Sequence, residues 1–135
     1  MLIRSLLNKQ QFFDPEGAAQ ALGISSAFWS LFGLLWPSGS KLAERLATRP
    51  VIAQERILEL GCGLALASLV GHRRGANITA SDCHPLAGEF LKENLRLNNL
   101  SPMSYQHGQW GEHAAQQQDP VVSSKFDLII GSDIL

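Results

Sequence analysis

The stretch Arg56-Ile-Leu-Glu-Leu-Gly-Cys-Gly-Leu-Ala-Leu-Ala-Ser-Leu-Val70 constrains this chain more than any other. Ile57, Leu58 and Leu60 form an apolar run with one interior acid, Glu59. The run breaks at Gly61-Cys62-Gly63 and resumes with the helix formers Leu and Ala. That pattern predicts a buried strand, a tight turn and a helix of about residues 64–74 closed by Gly75. A strand that delivers its end onto such a turn places free backbone N–H groups and the positive end of a helix dipole before a ligand. The turn is therefore suited to hold a small polar molecule.

The same alternation continues. A second strand is expected over 77–81, ending on Asp82, and Pro85 opens a helix whose Leu86, Phe90, Leu91 and Leu95 share a face that ends at Asn98-Asn99. A third strand is expected near 103–107, a loop or short helix over 111–119, and a fourth strand over 126–131. Strands alternating with helices at this pitch mean parallel pairing, hence a Rossmann-like, doubly wound α/β sheet. Before it, Leu2, Ile3, Leu6 and Leu7 have helical spacing, residues 14–17 form a turn or helix start, and 17–22 suit a short helix stopped by Gly23. The aromatic cluster Phe28, Trp29, Phe32 and Trp36 is closed by Pro37-Ser38-Gly39. A further helix follows, with Leu42, Ala43 and Leu46 inward, Ser38 or Ser40 as its N-cap and Pro50 as its stop. The chain divides on this reading into a helical covering segment, 1–50, and a ligand-binding domain, 51–135. Because it stops at Leu135, directly after a strand, it is expected either to be cut short of its complete domain or to need a partner, such as a second copy, to cover the open sheet.

Composition narrows the function classes. With 45% hydrophobic and 17% charged residues, the 135-residue chain suits one ordinary core. Eleven basic against twelve acidic residues leave no field to recruit nucleic acid or a membrane surface. Cys62 and Cys83 have neither disulfide nor zinc spacing, and the opening residues do not resemble a signal peptide, so a cytoplasmic protein is expected. The apolar stretch 27–36 is far shorter than the roughly 20 residues of a membrane helix. His72, His84, His107 and His113 lack metal spacing; His84 reads as a turn residue and His107 as a strand end. Arg73-Arg74 suits a helix C-terminus.

In an open parallel sheet the ligand lies beyond the carboxyl ends of the strands. Gly61, Asp82, Gln109-Trp110 and Ser132-Asp133 all fall at such ends. Gly61 and Gly63 permit a sharp turn and close ligand approach. Asp82, 21 positions after Gly61, stands where an acid can accept both hydroxyls of a ribose. Glu59 either accepts from a ligand amine or bonds nearby backbone N–H groups, since a buried carboxylate must find donors. A dinucleotide fingerprint would place glycine where Leu66 stands, and the lysine of a phosphate-binding loop is absent, so a ligand less anionic than a pyrophosphate fits better. Cys62 reads as a packing residue.

Glu59-Leu-Gly-Cys-Gly63 and Asp82, preceded by Leu35-Trp-Pro-Ser-Gly39 and followed by Gly108-Gln-Trp110 and Phe126-Asp-Leu-Ile-Ile-Gly-Ser-Asp-Ile-Leu135, resemble the class I S-adenosylmethionine-dependent methyltransferases, in the branch containing the protein-lysine methyltransferases and their bacterial relatives. The similarity runs from about Trp36 to the last residue. It implies S-adenosyl-L-methionine as cofactor: Trp36 against it, the turn Gly61, Cys62 and Gly63 around its methionine part, Asp82 on its ribose, Trp110 beside its adenine and Ser132 at the end of the fourth strand. It implies methyl transfer to a protein side chain such as lysine, with Asp133 as the group that holds the acceptor ammonium or takes its proton. A small-molecule acceptor, or a non-catalytic piece that keeps a cofactor half-site, remains the alternative. Two departures matter: Leu64-Ala65 stands where many relatives have Thr-Gly, and the Tyr of the branch's Asp-x-x-Tyr signature does not follow Asp133.

Overall fold

The structure, a computed structural model, describes residues 1–108 and 125–134. Four strands, β1 (Arg56–Leu60), β2 (Asn77–Asp82), β3 (Ser104–His107) and β4 (Leu128–Gly131), form one sheet in the order β3-β2-β1-β4. Every pairing is parallel, with Leu60 opposite both Ser81 and Gly131, and Asp82 opposite His107. Strand order reverses at β1, which therefore carries the switch point of the sheet. Among the described residues four α-helices accompany it: α1 (Ala18–Ala21), α2 (Pro37–Thr48), α3 (Leu66–Arg73) and α4 (Ala87–Leu97). The predicted parallel α/β sheet is thus observed.

Side-chain alternation explains where the core lies. Ile57 and Ile78 are register partners packed with Ala43 and Leu46 of α2 and Ala67 of α3. Two residues along β2 on the same face, Ala80 packs with Leu69 of α3 and with Leu91 and Leu95 of α4. Helices α2, α3 and α4 therefore lie side by side on one face. Fully burying a leucine such as Leu69 or Leu91 contributes about 1.5–3 kcal/mol, and both are essentially inaccessible. Arg74, just past α3, donates from its guanidinium to the carbonyls of Leu46 and Arg49, which ties the end of α2 to the end of α3.

Several boundaries differ from expectation. Helix α2 begins at Pro37, whose missing N–H costs nothing at that position, and no side chain caps it; Ser38 lies inside the helix and serves another purpose. Helix α3 starts two residues late because Gly61, Gly63 and Ala65 all adopt positive φ, at 59°, 51° and 58°. Residues 2–7 form no helix. Instead, Asn98 bonds both backbone groups of Leu2, and Asn94 accepts the Arg4 amide at 2.7 Å. Asn94 of α4 and Asn98 just beyond its end thus replace the partners a helix would supply internally. The loop expected over 111–119 lies outside the described residues.

Candidate functional site

The three-residue turn after β1 is set by its own backbone. Cys62 donates its amide to the carbonyl of Ser81 at 3.0 Å and accepts from the amide of Ala65 at 2.7 Å. Gly63 requires the absence of a side chain twice over: its φ is left-handed, and a Cβ there would stand 2.9 Å from the carbonyl oxygen of Phe32. The Cys62 thiol points into the core, and burial raises its pKa well above the ordinary value, so it packs rather than reacts. Burial likewise pushes Cys83 up to about 11.

Two carboxylates brace this turn. Glu59 is 3% exposed and accepts from both the amide and the hydroxyl of Ser68, in the first turn of α3. It supplies the first turn of that helix with the side-chain acceptor that its N-cap residue, Ala65, lacks. Burial, only partly offset by Ser68, raises its pKa to about 7. Asp82 is 6% exposed and accepts the Gly63 amide on one oxygen and the His84 amide on the other, each at 2.8 Å. Burial raises its pKa as well, against the pull of those two amides. Each Asp82 oxygen keeps one lone pair unused by these bonds.

The end of β4 completes the edge. Ser132 follows Gly131, the register partner of Leu60, so Gly61 lies between the ends of β2 and β4. A Cβ on Gly39 would approach the Ser132 hydroxyl to 3.7 Å, which places the first turn of α2 against the strand tip. Ser38 donates its hydroxyl to Asp133, an exposed residue with φ of 53°. Trp36, the residue before α2, donates from its indole to the Leu31 carbonyl at 3.0 Å, and the Lys9 ammonium lies 5.6 Å from its ring centroid. Gly61, Cys62, Gly63, Asp82, Ser132 and Asp133 thus meet at one edge, with Trp36 beside them. Trp110 lies outside the described residues. An apolar hollow lined by Leu46, Pro50, Val51, Ile52 and Ile57 opens near Asn77, at the opposite end of β2, remote from these groups.

The sequence did not reveal what roofs the site. His84 stacks on Phe32 with ring centroids 3.7 Å apart and planes at 12°, while Phe12 meets both rings edge-on and Phe90 meets Phe32 the same way. Burial lowers the His84 pKa to about 4, so the imidazole is neutral near pH 7. Ser68, Ser38 and Lys9 were missed too. Only Ser68 carried a signal: it is the one polar residue in the apolar run 64–70, nine positions after the acid inside β1.

A parallel sheet whose glycine turn and strand-end carboxylates meet where strand order reverses defines an α/β ligand-binding domain. The profile of the lysine methyltransferase family matches residues 26–135, and the chain belongs to that family. The electron transfer flavoprotein beta subunit lysine methyltransferase of Xenopus laevis is 36% identical over 81 residues, 58% of this chain and 32% of that protein. The histone-arginine methyltransferase METTL23 of the same organism is 29% identical over 103 residues, 74% of this chain and 43% of that protein. A solved tRNA (uracil-54, C5)-methyltransferase of Pyrococcus abyssi, in complex with S-adenosyl-L-homocysteine, overlaps 67% of this chain and 20% of its own, with a TM-score of 0.49 and 19% identity. The chain spans about a third to two-fifths of the length of the curated relatives it matches.

Proposed function

We propose that this chain is the cofactor-binding part of a cytoplasmic, S-adenosylmethionine-dependent methyltransferase that acts on a protein lysine. The observation that carries the reading is the convergence of the Gly61–Gly63 turn, Asp82 and Ser132-Asp133 at the reversal of strand order. The residues suit the group: the Asp82 carboxylate stands at the strand tip as an acceptor for the hydroxyls of a ribose, and the turn presents backbone rather than side chains. Family membership supports the acceptor class, and two cysteines that form no disulfide support a reducing compartment. Among the described residues no helix is long and apolar enough to cross a membrane.

When bound, S-adenosylmethionine supplies a methyl carbon already activated by its sulfonium. The chain's own residues then bind and orient. Asp82 holds the sugar, the turn of Gly61, Cys62 and Gly63 surrounds the amino-acid tail, and the face of Trp36 favours a cation by about 0.5–2 kcal/mol. Ser132 borders the ligand, and the family resemblance assigns Trp110 to the adenine. Glu59 belongs to this set through Ser68, by which it fixes the helix that follows the turn. Asp133, with Ser38 on one carboxylate oxygen, offers the other to an incoming ammonium and takes its proton before attack.

Calorimetry with S-adenosylhomocysteine tests the reading. Binding by the wild type is expected, and Asp82→Ala should weaken it by roughly 1–3 kcal/mol. Equal affinity in the two proteins would remove Asp82 from the site. Methyl transfer to small metabolites with none to protein would replace the acceptor class.

A further inference from the structure

We infer that residues 9–33 lie over the proposed cofactor site as an internal occupant that the cofactor must displace; the inference rests on the reading just given. Three observations converge. The space that Gly63 leaves open is filled by this chain's own backbone, the Phe32 carbonyl, which a Cβ would meet at 2.9 Å. The Phe32–His84 stack, edged by Phe12, stands at the turn directly after Asp82, and the carboxylate assigned to the ribose is only 6% exposed. Finally, the Lys9 ammonium sits on the face of Trp36, the ring assigned to the sulfonium. An ammonium and a sulfonium are both monocations favoured by the same aromatic face, so they compete for it. Among the described residues no ion pair includes Lys9, so its charge is committed to the ring and solvent.

The strap is built to move. It consists of one four-residue helix and two three-residue 3-10 turns, Ser26–Phe28 and Leu31–Gly33, elements with few cooperative hydrogen bonds. Its displacement uncovers Asp82 and Gly63 and frees the Trp36 face in one motion.

The test compares S-adenosylhomocysteine binding by wild type, Lys9→Gln and Phe32→Leu, with amide hydrogen exchange of residues 25–33 followed with and without ligand. Lys9 is exposed, so Lys9→Gln leaves the core intact. Binding should tighten about 2- to 5-fold in Lys9→Gln, the loss of one exposed cation–aromatic contact. Phe32→Leu should also tighten it, and ligand should speed exchange across 25–33. Affinity that is unchanged or weaker in both variants, while the wild type binds, overturns the inference and leaves the proposed function standing. Absence of binding in all three proteins overturns both.

Discussion

Residues 56–82 and residues 1–36 are ordered by different means. In the first region each element is specified locally: an apolar strand, a glycine turn, a helix and a second strand, held by parallel backbone pairing and a shared leucine core. In the second, α1 has only four residues, and order comes from side chains reaching across the fold: Asn94 and Asn98 holding residues 2–4, His84 stacking on Phe32, Lys9 on Trp36. A region that makes its own hydrogen bonds tolerates little change inside it. One that borrows its contacts can be released without unfolding the rest.

The sharpest way to break that contrast is in the core. Leu69→Ala should cost about 2–5 kcal/mol in urea unfolding, because Leu69 is inaccessible between sheet and helices. A loss as small as that of a strap variant would erase the distinction. Glu59→Gln sharpens it through pH. The native state holds the Glu59 proton up to about pH 7, against an ordinary 4.5, so its contribution is complete below about 4.5 and disappears as pH rises through about 7. The stability difference between wild type and variant should therefore change by on the order of 3 kcal/mol across that window. His84 runs the other way: with its pKa lowered to about 4, its contribution is present above about 6.5 and lost as pH falls through 4. Glu59→Gln should thus lose stability more steeply on acidification than wild type, a limb that the Glu59 carboxyl masks.

Smaller effects belong to the seam and the strap. Gly63→Ala should cost about 1–3 kcal/mol, since alanine must adopt a left-handed φ and its Cβ meets the Phe32 carbonyl. Exchange in residues 25–33 should accelerate in the same protein; unchanged exchange there would separate the strap from the turn. Asp14→Ala removes the carboxylate that accepts the Ala19 and Gln20 amides at 3.0 and 2.9 Å. It should cost about 1 kcal/mol, seen as local exchange at α1 rather than as a shift of the global urea midpoint.

The parallel sheet and its order of elements were legible because each strand and helix announces itself within a short window. The turn and Asp82 were legible for a related reason: glycines and acids at strand ends have few purposes. Glu59 was left between two roles, and the fold resolves its bonding, since Ser68 becomes its neighbour only once α3 turns back over β1. The N-terminal leucines misled because helical spacing says nothing of Asn94 and Asn98, 90 and 96 positions from the amides they bond, which offer that backbone better partners.

By itself, then, the sequence determined the alternation of strand and helix, the glycine turn and the acid that ends β2, all set by backbone preferences and hydrophobic period within about a dozen residues. The tertiary structure alone decided that Asp82 accepts the Gly63 amide of the turn, that Ser38 meets Asp133, that Phe32 stacks on His84 and that Lys9 lies over Trp36. Those contacts join residues about 20 to 95 positions apart, and only the packing of the sheet and its helices brings them within reach.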